Sequence, residues 1–183
     1  EVSKVIRIPF TVGGGISELS DIEALLRAGA DKVSLNTSIV KNPLLISEAA
    51  KRFGSQAVVA AVDVKTSGTV KKVFINGGKE ETELEGLSWC RKVAELGAGE
   101  ILLTSMDHDG TKNGYDLDFL KQVVENVTVP VIASGGAGES KHFLDAFLAG
   151  VDACLAASLF HYKELDIREL KQFLRLKGIN VRV

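Results

Sequence analysis

Short apolar stretches rich in β-branched residues alternate along this chain with longer stretches whose apolar residues recur every three to four positions. The first pattern is that of a buried strand and the second that of an amphipathic helix. Their alternation predicts βα units around a parallel sheet. Strands are expected at 10–13, 32–35, 57–62, 100–104, 129–133 and 153–156, and helices at 20–28, 87–96, 117–126, 141–149 and 166–176. A further helix opens after Asn42 and Pro43, an N-cap and first-turn pair, with Leu45, Ala49, Ala50 and Phe53 as its buried stripe. Ser20 and Glu23 have the spacing of a capping box, and Gly29 stands where a helix C-cap belongs. Residues 57–62 are the most apolar run and are expected to be buried on both faces. After them, 70–75 and 80–84 alternate around Asn76-Gly77-Gly78, which predicts a hairpin inserted in the loop. The pattern gives six strands, each followed by a helix, in a single domain over residues 1–183.

The chain also repeats itself. An offset of 121 positions lays residues 8–38 on 129–159 without a gap. Pro9/Pro130, Gly14/Gly135, Gly15/Gly136, Glu18/Glu139, Ala28/Ala149, Gly29/Gly150 and Asp31/Asp152 are identical pairs. A repeat of this length is one supersecondary unit used twice. The matched positions include the strand-to-helix turns, where ligands sit in α/β folds.

Composition narrows the reading. The chain has 183 residues, enough for one domain with a core, and 22 Lys+Arg against 24 Asp+Glu leave a net charge of −2. That balance argues against a polyanion partner, so no nucleic acid is expected. No apolar run reaches the roughly 18 residues of a membrane span, and the start lacks the layout of a signal peptide. Cys90 and Cys154 fit no metal-ligand spacing, which points to a reducing, cytoplasmic setting. Neither metal nor cofactor is expected.

Three features carry candidate chemistry. The turns Val12-Gly13-Gly14-Gly15-Ile16 and Ala133-Ser134-Gly135-Gly136-Ala137-Gly138 each follow a strand and precede a helix. Glycine there lets backbone N–H groups approach an oxyanion at a helix N-terminus. One such turn is most simply conformational. Two related turns, with Asn36-Thr37 and Ala157-Ser158 after the following strands, point to two phosphate sites related by pseudo-symmetry. Asp63 closes the apolar run, and local sequence allows two readings: a carboxyl raised toward acid/base use by burial, or a turn cap. The stretch 102–116 runs from the end of a strand into a polar, glycine-punctuated loop that carries His108 and Asp109. A lone loop histidine is usually solvated. His142, His161, Trp89 and Cys90 read as structural.

On these residues the chain resembles the cyclase subunit of imidazole glycerol phosphate synthase, a (β/α)8 TIM-barrel enzyme of histidine biosynthesis. The resemblance rests on Ile8-Pro9-Phe10-Thr11-Val12-Gly13-Gly14-Gly15, Gly97-Ala98-Gly99-Glu100-Ile101-Leu102-Leu103-Thr104-Ser105, Ile132-Ala133-Ser134-Gly135-Gly136-Ala137-Gly138 and Leu155-Ala156-Ala157-Ser158. It runs over essentially the whole chain. It implies a barrel of two similar halves and a reaction of ammonia with phosphoribulosyl-formimino-AICAR phosphate, a substrate with a phosphate at each end. The products are imidazole glycerol phosphate and AICAR, and the ammonia comes from a separate glutaminase subunit at the opposite end of the barrel. Asp63 matches the second of the family's two catalytic aspartates. Gly14, Gly15, Asn36 and Thr37 fall at one phosphate site. Asp109, Gly110, Gly136, Ala157 and Ser158 fall at the other phosphate and its ribose end, with Thr104, Ser134 and Gly135 in the substrate- and phosphate-binding set. Lys32 and Glu100 match two members of a charged ring that gates ammonia, and Thr11 and Ser34 would line the channel above it.

The resemblance also implies two further βα units ahead of Glu1, the first strand of which carries the other catalytic aspartate. The chain is therefore expected to be a fragment with the third to eighth units, an incomplete barrel with two unpaired edges and the hairpin after the fifth strand. Three other readings stay open. They are the sister isomerase of the same pathway, a paralogue that aminates a sugar nucleotide, and a non-catalytic phosphate-binding half-barrel.

Overall fold

The computed structural model describes residues 2–182; Glu1, where the barrel was expected to be broken into, lies outside the described residues. Its strands are β1 (Thr11–Gly13), β2 (Lys32–Leu35), β3 (Val58–Ser67), β4 (Val70–Ile75), β5 (Glu80–Glu85), β6 (Glu100–Ser105), β7 (Val131–Ser134) and β8 (Ala153–Cys154). The helices are α1 (Leu19–Arg27), α2 (Thr37–Lys41), α3 (Leu44–Phe53), α4 (Gly86–Glu95), α5 (Leu117–Val124), α6 (Ser140–Leu148), α7 (Ser158–His161) and α8 (Ile167–Leu176).

Six strands pair in parallel in the order β1-β2-β3-β6-β7-β8, the succession of βα units that the hydrophobic pattern predicts. This is part of a (β/α)8 barrel, and among the described residues β1 and β8 have no second neighbour. Strand alternation sorts the side chains. Val33, Leu35, Val58, Ala60, Val62, Ile101, Leu103, Val131 and Ala133 are each at most 2% exposed and form the core with the helices. The opposite, inner face carries Ser34, Ala61, Asp63, Thr104 and Ser134, all half-buried. Burial of 57–62 on both faces therefore holds except at Ala61. Trp89 and Cys90 pack in the core as expected, and burial pushes the Cys90 thiol up to about 12.

The expected end of β3 at Val62 is corrected. The strand runs on through Asp63 to Ser67, although its side chains turn polar. The hairpin supplies the reason, since β4 pairs antiparallel from Asp63↔Phe74 to Ser67↔Val70 and satisfies the edge of β3 that β2 leaves after Ala60. The capping box is corrected too. Helix α1 starts earlier, at N-cap Glu18, and Asp21 accepts from Glu18 N at 3.1 Å. Glu23 instead pairs with Arg27 and Arg52. Strand β8 is two residues long where four were expected, and β7 is displaced to Val131–Ser134.

The internal repeat is built the same way twice. Helices α1 and α6 occupy matching positions, and both have a Glu N-cap, with φ −147° at Glu18 and −153° at Glu139. Asp31 accepts from Phe10 N at 2.7 Å and Asp152 accepts from Val131 N at 2.9 Å, each clasping the start of the unit's first strand. The return bonds also match, from Asp31 N to Phe10 O at 2.8 Å and from Asp152 N to Val131 O at 3.0 Å. Helices α2 and α7, absent from the expected elements, follow the second strand of each copy.

Candidate functional site

Parallel strands deliver their C-terminal ends to one mouth, and the candidate residues gather there around two clefts. The first, about 590 Å³, is lined by Gly14, Gly15, Ser34, Asn36, Thr37 and Asp63, with Asn76 from the hairpin. The second, about 260 Å³, is lined by Asp109, Gly110, Gly135, Gly136, Ala157 and Ser158, with Lys112 beside them. The repeat thus supplies one cleft from each copy. Gly14 and Gly15 lie at φ +93° and +71°, and Gly135 and Gly136 at +89° and +110°, the left-handed region that glycine alone enters freely. The clefts differ in their cover. A Cβ on Gly15 would meet open space, whereas one on Gly136 would lie 2.1 Å from Gly114 O, because the loop after β6 folds over the second turn.

Asp63, Thr104 and Ser134 stand in register on β3, β6 and β7, a row of polar side chains on the inner face that starts in the wall of the first cleft. At a strand spacing of about 4.8 Å the row spans roughly 10 Å. Burial raises the Asp63 carboxyl above the usual carboxylate range; the Thr104 hydroxyl opposes this and the charge of Asp109 adds to it. Asp63 is therefore no turn cap, because it lies inside a strand. Asn36 donates through Nδ2 to Asp63 Oδ2 at 3.3 Å and to Ala61 O at 3.2 Å.

At the other end of the strands, Lys32 and Glu100 form an ion pair across β3. Ser34 lies two residues further along β2, in the wall of the first cleft, while Thr11 is exposed on the edge strand and is not brought into that cleft. The three histidines do other work. His108 donates from Nδ1 to Gly114 O at 2.9 Å, so it braces the loop where the sequence suggested solvation. His142 accepts at Nδ1 from Gly138 N at 3.0 Å, in the position where Asp21 accepts from Ser17 N in the first copy. His161 is exposed and packs edge-on against Tyr162.

Sequence reasoning missed the hairpin's part in the site. Asn76 N donates to Thr37 Oγ1 at 3.0 Å, and Lys71 Nζ lies 2.8 Å from Asp107 and 2.6 Å from Asp116. Nothing in the local pattern marks either residue, since both contacts join segments more than 30 positions apart.

Fold and mouth together define a TIM-barrel enzyme whose polar groups and glycine turns lie at the C-terminal ends of the strands. Comparison with known proteins narrows this: the family described as histidine biosynthesis protein matches residues 1–166, and the chain belongs to it. Relatives named imidazole glycerol phosphate synthase subunit HisF are 55% identical in Lachnoclostridium phytofermentans and in Wolinella succinogenes, each match covering 100% of this chain and 72% of the relative. The subunit of the same name from Geobacillus thermodenitrificans is 54% identical over 99% of this chain and 73% of its own length.

Proposed function

We propose that the chain performs the cyclase step of imidazole glycerol phosphate synthase, in which ammonia converts phosphoribulosyl-formimino-AICAR phosphate to imidazole glycerol phosphate and AICAR. The observation that carries this reading is a half-buried aspartate in the wall of one of two glycine-walled clefts at one mouth. A substrate with a phosphate at each end spans such a pair, with one phosphate at Gly14, Gly15, Asn36 and Thr37 and the other at Gly135, Gly136, Ala157 and Ser158. Asp109 and Gly110 hold the ribose beside the second phosphate, and Thr104 and Ser134 face the middle of the substrate.

Asp63 serves as general acid/base. Attack by ammonia sheds a proton, and departure of AICAR as an amine takes one up. A carboxyl whose proton affinity burial raises above its ordinary value is better suited to both transfers than a solvated one. Ammonia enters from the N-terminal end of the strands, past Lys32 and Glu100 and along Thr11 and Ser34, delivered by a glutaminase subunit docked there. The setting is the cytoplasm, where Cys90 and Cys154 stay as the free thiols they are here.

The test is ammonium-dependent turnover of the intact enzyme carrying Asp63→Asn. A loss of about 10²-fold or more is expected for a general acid/base group. Native turnover in that variant would remove Asp63 from the chemistry.

A further inference from the structure

The β4–β5 hairpin is inserted in the succession of βα units, and it touches the first cleft and the loop that leads to the second. Its tip meets the first: Asn76 N donates to Thr37 Oγ1, Thr37 Oγ1 donates to Asn36 Oδ1 at 3.2 Å, and Asn36 reaches Asp63. Gly78 packs against the loop after β6, where a Cβ would lie 2.5 Å from Met106 Cε. Its stem meets the base of that loop through Lys71, whose single ammonium joins Asp107 and Asp116. Both carboxylates are engaged elsewhere as well. Asp107 accepts from Thr66 N at 2.9 Å and Thr66 Oγ1 at 2.7 Å on β3. Asp116 accepts from Ser105 Oγ at 2.8 Å and caps α5 through Phe119 N at 3.4 Å. Between these two anchored ends the loop carries Asp109 and Gly110 to the second cleft, and Gly114 N donates to Gly136 O at 2.8 Å.

We propose that the hairpin is a strut that fixes the second cleft relative to the first, and that Lys71 is its positioning residue. Lys71 touches neither cleft. It acts by cancelling the repulsion of two carboxylates held within 2.8 Å of one nitrogen, and so keeps both ends of the loop down. Side-chain exposures of 17% for Lys71 and 12% for Asp116 leave little water to do this in its place. The inference rests on the two-phosphate reading above.

The test uses the intact enzyme with ammonium as nitrogen source, and inorganic phosphate followed by the amide resonances of Gly15 and Gly136. In Lys71→Met, KM for the bisphosphate substrate is expected to rise about 10-fold while kcat changes by less than about 3-fold, the signature of lost binding geometry. Phosphate affinity should fall by about the same factor at Gly136 and stay native at Gly15, and Lys71→Arg should restore most of both. Unchanged KM and native phosphate binding at Gly136 would overturn the role of Lys71 and leave the two-site reading standing. Equal losses at both turns without rescue by arginine would reduce Lys71 to a fold-stabilising contact. If phosphate binds neither turn of the native enzyme, both inferences fall. Should Lys71→Met not fold, Asp107→Asn must show the same selective loss at Gly136, or the strut is wrong.

Discussion

Asn36 offers its amide to Asp63 across 3.3 Å, from the N-cap of α2 just past β2 to a residue inside β3. The amide is a neutral donor, so it steadies the carboxylate without setting a second charge against it. Asn36→Asp removes that donor and brings in a like charge. Two carboxylates this close cannot both ionise readily, and the pair then titrates together. The acidic limb of the pH–rate profile, measured with ammonium, is expected to move to higher pH in this variant. A limb that stays in place would mean Asp63 does not sense position 36.

The same carboxyl has a consequence for stability, and its sign is definite. Burial raises its pKa in the folded chain above the unfolded value, so the ionised form is worse off folded than unfolded. The penalty is full above the folded pKa and fades as pH falls through it and the group takes up its proton. Asp63→Asn is therefore expected to raise the urea midpoint at neutral pH, and the gain should vanish below about pH 4, the ordinary carboxylate range. The reverse trend, a variant weaker at neutral pH, would mean that the Asn36 and Thr104 donors outweigh burial.

Lys32 tests the far end of the barrel. It pairs with Glu100 on the inner face, away from both clefts. If the pair restricts passage of ammonia, Lys32→Met should impair glutamine-dependent turnover with the glutaminase several-fold more than turnover with added ammonium. We expect a difference of about 10-fold, the scale of one misplaced contact along the route. Equal losses in the two assays would assign Lys32 to stability alone.

Much of this was legible along the chain because it is local. β-branched runs at regular spacing fix which segments are strands, and the repeat fixes which turns correspond, down to Gly15 and Gly136. The clefts follow, since parallel strands carry their ends to one side. Asp63 was found as a candidate but placed at a strand end, because the partner that prolongs β3 is the hairpin and its antiparallel register cannot be read from β3 itself. The short helices α2 and α7 span five and four residues, too few to show a period. At α1 the cap fell to Glu18 and Asp21 over Ser20 and Glu23, a shift of two residues within a stretch where every candidate is polar. Lys71 lay outside any pattern. Its meaning arises only when β4 lies beside the loop after β6.

The clasp of Asp31 on Phe10 and of Asp152 on Val131 bears on how such a barrel is assembled. Each acid closes a unit upon itself, bonding the start of its own first strand from the approach to its own second. Neither bond reaches into a neighbouring unit. The instructions for where the unit begins, turns and stops are thus portable, carried in the copied stretch and independent of what flanks it. A barrel made this way can lengthen by duplication without a new set of joints. The same clasped scaffold carries a turn left open in one copy and a turn covered by a loop in the other.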